Sequence, residues 1–403
     1  MQMRTPSAWS PRSWRERPAL QQPDYPDLGA LEAVCAALAK QNPLVSSASV
    51  LELRSALAAI PRGEAFLLHG GDCAERLRDA EADADAHLAR THRLLTEGAE
   101  LLETAGRRVI RVGRWAGQLA KPRSRAVEMT AGAALPIYRG DAVNDPAPDL
   151  QARTPDPRRL SRARSHAEET LVRLGQLEGG DVCISHEALL LPFEEALTRW
   201  DASARQWWAS SAHYLWIGAR TGQPEGAHVE WMRGICNPVG VKCGPHLSTG
   251  SLLRLLERLD PDRSPGRLTL IPRLGAVAGD HLPGWVRAVK SSGHPVVWCS
   301  DPMHANTVTT AGGLKTRAVE AIIDELGTFF DILESEREIP GGVHLECTGD
   351  AVRECVGGRS GVREAELGPG YETACDPRLD REQTLEVLDF VRQRLQRRPE
   401  DGE

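Results

Sequence analysis

The sequence predicts an α/β chain folded as a closed parallel (β/α)8 barrel with an N-terminal extension. Three observations predict it. Eight short apolar runs recur between residues 65 and 345, mostly separated by helical patterns. Each run stops abruptly in a polar loop carrying Cys, Arg, Lys, His or Glu, and the loop end of a barrel strand is where chemistry sits. The clearest unit is Pro295 to Arg317: Val296-Val297-Trp298 reads as a buried strand, and Asp301-Pro302-Met303-His304-Ala305-Asn306-Thr307 ends it. The stripe Val319, Ile322, Ile323, Leu326, Phe330 and Leu333 then reads as a helix.

Taken in order, residues 1–62 form an extension: a lead with Pro, Trp and Arg, then two weak helical patterns, Leu31–Ala39 and Val50–Ala59. They read as an arm packed on the barrel or on a partner subunit. The catalytic barrel is expected over 63–398. Its first run is Ala65–Leu68, ended by Gly70-Gly71-Asp72-Cys73, with a helix pattern through Leu77, Leu88, Leu95 and Leu102. The second is Val109–Val112, ended by Gly113-Arg114 and then Lys121-Pro122-Arg123-Ser124. A Pro- and Arg-rich stretch, roughly 125–180, reads as a long surface excursion. The remaining runs are Val182–Ile184 (ended by Ser185-His186-Glu187), Tyr214–Ile217 (Gly218-Ala219-Arg220), Val239–Val241 (Lys242), Leu268–Ile271 (Arg273), Val296–Trp298 and Val343–Leu345 (Glu346). A last helix carries Leu385, Leu388, Val391 and Leu395.

The bulk numbers narrow the function classes. The chain has 403 residues, 41% hydrophobic and 26% charged, which suits a globular protein with a large core. Its formal charge of −7 argues against general nucleic-acid affinity. No apolar run approaches a membrane span, and Arg4, Arg12, Arg15 and Arg17 stand where a secretory signal would need an apolar core. The nine cysteines lack the paired spacing of a zinc site or a disulfide scaffold, so reduced thiols and a cytoplasmic place are expected.

The strand ends sort into two groups. Cys73, His304, Glu346 and, beyond the eighth run, Asp376 are metal-ligand types: a thiolate, an imidazole and two carboxylates suit a borderline divalent ion such as Mn²⁺, Co²⁺, Fe²⁺ or Zn²⁺. Taken singly, Cys73 reads more readily as an inert buried thiol, the commoner fate, and Glu346 as half of an ion pair. Arg114, Lys121, Arg123, Arg220, Lys242 and Arg273 are cationic. Cations at several strand ends of a net acidic chain imply a polyanionic small substrate, or two. Cys375 directly precedes Asp376, so a site joining Asp376 to Cys73 would also bring two thiols together, open to a disulfide when no metal is bound.

The blocks FLLHGGDCAE, RVGRWAGQLAKPRS, SHEALLLPFE, AHYLWIGARTGQPEGAHVE, NPVGVKCGP, DPMHANT, GGVHLECTG and YETACDPRL resemble, in order, the signature blocks of type II 3-deoxy-D-arabino-heptulosonate 7-phosphate (DAHP) synthases. The resemblance covers roughly residues 12–395 and implies a TIM barrel. It implies condensation of phosphoenolpyruvate with erythrose 4-phosphate, the entry to the shikimate pathway. It assigns Cys73, His304, Glu346 and Asp376 to the metal, and Arg114, Arg220, Lys242 and Arg273 to phosphoenolpyruvate. Lys121, Arg123 and Ser124 match the block that holds the erythrose phosphate end, and Glu187 a carboxylate lining the same pocket. Lys242, Glu187 and Arg220 are the expected catalytic residues. A homodimer or larger homo-oligomer is expected, with no nucleic-acid or membrane partner.

The chain departs from the family pattern at Ala219, where the family usually has Glu, at Ala305, usually Gly, and at His69, usually Gln. Only seven residues separate Leu174 from Val182, where larger members carry a helical pair serving aromatic amino-acid feedback. The chain therefore resembles the short subgroup often associated with secondary metabolism. Two other readings stay open: a synthase for an amino analogue of the aldose phosphate, and a weakly active member acting as a binding partner.

Overall fold

The computed structural model describes residues 9–77, 81–130, 132–179, 182–373 and 375–397. All eight apolar runs are strands: Ala65–Gly71, Arg108–Gly113, Cys183–Glu187, Tyr214–Ile217, Val239–Cys243, Leu268–Pro272, Val297–Ser300 and Pro340–Glu346. Each pairs in parallel with its sequence neighbours, and the first pairs with the eighth, so the sheet closes into a (β/α)8 barrel. The closing register sets Leu67 against Gly342 and Gly71 against Glu346.

The helices form where caps and apolar stripes coincide. Ser248 accepts from Ser251 N to open Thr249–Leu259, and Asp380 and Gln383 cap Arg381–Gln396 reciprocally. Val319–Ser335 buries Val319, Ile322, Leu326, Phe329, Phe330 and Leu333. The helix Glu81–Glu103 begins after Leu77, which precedes it, and residues 78–80 lie outside the described residues. It packs on the last helix through Gly98, where a Cβ would stand 2.5 Å from Leu388 Cδ1. The missing side chain at Gly98 leaves the space that Leu388 fills.

The 125–180 excursion is more ordered than its composition suggests. It holds a hairpin, Val127–Thr130 with Ala133–Pro136, and the helix Arg158–Leu174. That helix buries Leu160, Ala163, Ala167 and Leu174 together with Arg164 and Thr170, so its buried face is an even mix of Leu and Ala broken by polar residues.

The extension closes the barrel's lower end. Leu53 and Leu57 of the helix Ser47–Leu57, with Ile60, pack against the inward side chains Leu67, Ile110, Val112, Tyr214, Trp216, Ile271 and Val297. Upstream, Trp9 Nε1 donates to the Glu230 carbonyl at 2.9 Å, and Trp14 Nε1 to Glu195 Oε2 at 2.9 Å. Among the described residues no helix is long and apolar enough to cross a membrane. Replacing Leu388, fully buried at the Gly98 contact, with Ala should lower stability by about 2–5 kcal/mol. Urea unfolding would measure this, and a loss under half of that range would show that the contact relaxes.

Candidate active site

Every barrel strand delivers one candidate residue to the same end. Cys73 follows the first strand and Arg114 the second, Glu187 ends the third, and Arg220 follows the fourth. Lys242 lies in the fifth strand, Arg273 and His304 follow the sixth and seventh, and Glu346 ends the eighth. Because Gly71 pairs with Glu346, and Cys347 N donates to the Gly71 carbonyl at 3.0 Å, Cys73 and Glu346 stand side by side.

Candidate metal-binding atoms of Cys73, Glu346 and Asp376 all lie within 4.8 Å of one another. His304 falls outside that set of three, but its Nε2 is 3.1 Å from Glu346 Oε1. Asp376 N donates to Cys73 Sγ at 3.2 Å. Burial opposes ionisation of Glu346, but His304, Lys121 and Arg317 override it and hold the carboxyl well below its usual range. Asp376 behaves likewise: burial is outweighed by Lys121, Lys315 and Arg317. Burial keeps the Cys73 thiol protonated well above the usual range, and its hydrogen bond with Cys375 adds to that. A sulfur, a nitrogen and two carboxylates gathered here fit a borderline divalent ion, which would bind by displacing the thiol proton.

The cations divide by partner. Lys242 Nζ meets Asp301 Oδ2 at 2.5 Å, and burial lowers its pKa to about 8 despite that carboxylate. Asp301, which the sequence reading passed over as a strand breaker, also lies 2.8 Å from His304 Nδ1. It thereby turns Nε2 toward Glu346, the role of an outer carboxylate in metal sites. Arg317 and Lys315 were missed too; they sit 2.8 Å from Glu346 Oε2 and 2.8 Å from Asp376 Oδ1. By contrast Arg220 and Arg273 have no acidic partner among the described residues. Arg220 Nη2 donates to Ser124 Oγ at 2.7 Å, and Arg273 Nη2 to the His304 carbonyl at 3.1 Å.

Arg114, Lys121, Glu187, Arg220, Lys242 and Arg273 line one cavity. Glu187 reaches it because Gly218 has no side chain: a Cβ there would stand 2.1 Å from Glu187 Oε1. Burial raises the Glu187 pKa, partly offset by Lys121 and Lys242, and its Oε1 has no hydrogen-bond partner. Past Ala219 the cavity continues into a larger one of about 670 Å³, also bordered by Arg220, Lys242 and Arg273. The loop at Arg123 is held by the N-terminal arm. Arg123 N donates at 2.9 Å to the side chain of Gln21, a non-glycine residue with φ of 63°. Arg123 Nη1 lies 3.9 Å from Cys375 Sγ.

A parallel barrel with metal-ligand types beside unpaired arginines, all at the C-terminal mouth, is the build of an enzyme that handles small anions. Comparison with known proteins gives the family. The class-II DAHP synthetase family matches residues 9–183 and 172–391. A Streptomyces coelicolor protein named phospho-2-dehydro-3-deoxyheptonate aldolase is 41% identical over 440 residues, covering 96% of this chain and 97% of its own. A Neurospora crassa protein of the same name is 38% identical over 462 residues, covering 97% and 95%. The chain belongs to the class-II DAHP synthetase family.

Two outcomes are expected of this site. In metal-free protein a mild oxidant should join Cys73 to Cys375, read as a mass shift in the linked peptides and reversed by reductant; bound metal should protect. No such link, or the same inactivation in Cys375→Ser, would count against the contact. Second, Lys242 carries its charge below pH about 8 and loses it above, so kcat/KM for an anionic substrate should fall as pH rises through about 8. A profile that stays flat well past that point would show that the Lys242 charge does not act on the substrate.

Proposed function

We propose that this chain condenses phosphoenolpyruvate with erythrose 4-phosphate and water to give DAHP and phosphate, the first step of the shikimate pathway. The observation that carries this is the convergence of Cys73, Glu346 and Asp376, with His304 beside Glu346, and of two arginines without acidic partners among the described residues on one mouth of the barrel. Family membership and the relatives' shared name support it.

On this reading Arg220 and Arg273 hold the anionic groups of phosphoenolpyruvate, having no internal carboxylate to satisfy them. Lys242 adds a charge whose position is set by Asp301. Arg114 contributes from the cavity wall. Lys121, Arg123 and Ser124 take the phosphate end of the aldose, on a loop tied to Gln21. Glu187, whose pKa burial raises, accepts at Oε1 a proton from the water that adds to C2. Cys73, His304, Glu346 and Asp376 would hold the divalent ion, Mn²⁺ foremost. Bound there it supplies Lewis-acid polarisation of the aldehyde oxygen. Holding both substrates with C3 of one against the aldehyde carbon of the other can contribute roughly 7–11 kcal/mol.

A second reading, an amino analogue as the aldose phosphate, is favoured by one observation. Ala219 leaves the wall beside Arg220 open to the larger cavity. We assign catalysis to residues 63–398, with 1–62 an extension packed on the barrel. A homodimer or larger homo-oligomer is supported by the exposed apolar side chains of Leu20, Leu28, Val127 and Met129. A cytoplasmic place is supported by nine cysteines, none of them in a disulfide.

Loss of phosphoenolpyruvate, followed with erythrose 4-phosphate and with its amino analogue, tests the reading. Chelator should abolish turnover, and Mn²⁺ or Co²⁺ should restore it. His304→Ala should lose more than the roughly 10–100-fold typical of an outer partner while keeping its melting temperature. Full turnover by rigorously metal-free protein would refute the metal's role, and preference for the amino analogue would favour the second reading. The short 174–182 connection leaves no room for a feedback helix pair. Trp and Phe, separately and together, should therefore leave the initial rate unchanged; strong joint inhibition would place that device elsewhere.

A further inference from the structure

Below the site the barrel interior holds a row of polar side chains that no step above uses. His69 and His344 face each other across the first and eighth strands, where they pair in register, and both are fully buried. Their Nδ1 atoms are 2.8 Å apart. His69 Nε2 is 2.8 Å from Ser185 Oγ, and Ser185 Oγ donates to the Gly113 carbonyl at 2.8 Å. At the other end His344 Nε2 meets Arg114 Nη1.

The direction of this chain follows from one end. A guanidinium only donates, so His344 Nε2 accepts. The proton of a neutral His344 ring is then on Nδ1 and is donated to His69 Nδ1. The His69 proton lies on Nε2 and is donated to Ser185 Oγ, whose own hydrogen goes to Gly113. Every donor has one acceptor, and the reverse order is closed because Arg114 cannot accept. A second proton on His69 would set two N–H groups head to head. Trp216 steadies the assembly: it meets the His69 ring edge-on at 5.3 Å and lies under the Arg114 guanidinium at 5.1 Å.

Arg114 has five N–H donors. Nε donates to the Asp72 carbonyl at 2.8 Å, and Nη2 donates to the Cys73 carbonyl at 3.2 Å and to Glu346 Oε1 at 3.0 Å. One Nη1 proton goes to His344. One remains, without an acceptor among the described residues, on a side chain that lines the substrate cavity.

We propose that His69 and His344 are positioning residues: the one-way hydrogen-bond chain sets the rotation of the Arg114 guanidinium so that its last free N–H serves phosphoenolpyruvate. The inference rests on the reading of Arg114 as a ligand of that substrate. It also assigns a requirement to position 69, namely one acceptor toward His344 and one donor toward Ser185. A glutamine meets it with its carbonyl and its NH₂; a leucine of similar bulk meets neither.

The test compares His69→Leu with His69→Gln in the full-length, metal-loaded protein. Phosphoenolpyruvate binding is measured by calorimetry, and kcat and KM for each substrate by initial rates. His69→Leu should weaken phosphoenolpyruvate binding and raise its KM by about tenfold or more, the scale of one buried donor left unpartnered. The KM for the aldose phosphate should stay within about twofold, and His69→Gln should lie within about threefold of the parent. A role confined to packing would lower melting temperature and active fraction instead, leaving the KM of the folded fraction unmoved. Equal phosphoenolpyruvate affinity in parent and His69→Leu, or equal losses in the two variants, overturns the proposal. Should His69→Leu fail to fold, Ser185→Ala takes its place, expected to raise the same KM by about threefold; an unchanged KM overturns it. A parent protein that binds no phosphoenolpyruvate refutes the substrate reading, and this inference with it, so the two failures are told apart.

Discussion

One fully buried carboxylate organises the mouth of this barrel. Arg114, Lys121, His304 and Arg317 all lie within 3.5 Å of Glu346. A lone buried carboxylate would protonate, because burial disfavours charge. Here the surrounding cations keep it ionised, and it in turn compensates them. The four partners come from the second strand end, the Lys121 loop, the seventh strand's loop and the segment after it. A single charge on the last strand therefore fixes four separate pieces of chain. Removing it would leave three permanent cations facing one another in a dry interior, a far larger penalty than the loss of any one pair.

The same arrangement divides the positive charge of the site into two kinds. Arg114, Lys121, Arg317 and Lys242 are paired with carboxylates of the protein, which fix their positions and offset part of their charge. Arg220 and Arg273 are bound to a hydroxyl and a carbonyl, which satisfy hydrogen bonds but not charge. The uncompensated charge is what an incoming phosphate or carboxylate meets. Ala219 belongs to this division, since a carboxylate there would stand next to Arg220; its absence keeps that arginine available and widens the cavity.

Much of this was legible in the amino-acid order. A barrel strand is a short apolar run cut off by a polar loop, so all eight strands and the residues at their ends could be read directly. The metal-ligand types stood out because they recur at those ends. What escaped depends on packing between distant segments. Asp301 lies three residues before His304 in a loop rich in breakers, and nothing local says that it also faces Lys242 on another strand. Lys315 and Arg317 lie in and just past a two-residue strand too short to show a period. Helix Arg158–Leu174 hides behind Arg and Pro because its buried face is largely Ala and Leu. The helix Ser47–Leu57 shows only a weak helical pattern, and nothing local says that it packs against the inward side chains of distant strands.

Closure of the sheet by its first and last strands has a consequence for synthesis on the ribosome. Cys73 belongs to the earliest barrel segment to emerge, whereas Glu346 and Asp376 are among the last. The nascent chain carries a thiol, an unpaired first strand and the uncompensated cations at Arg114 and Lys121 for most of its elongation. The candidate set of Cys73, Glu346 and Asp376 is complete only after the eighth strand has been made and has docked beside the first. Assembly of that set is thus a late act of folding rather than its nucleus, and the partly made chain presents an open parallel edge that invites misassociation until closure.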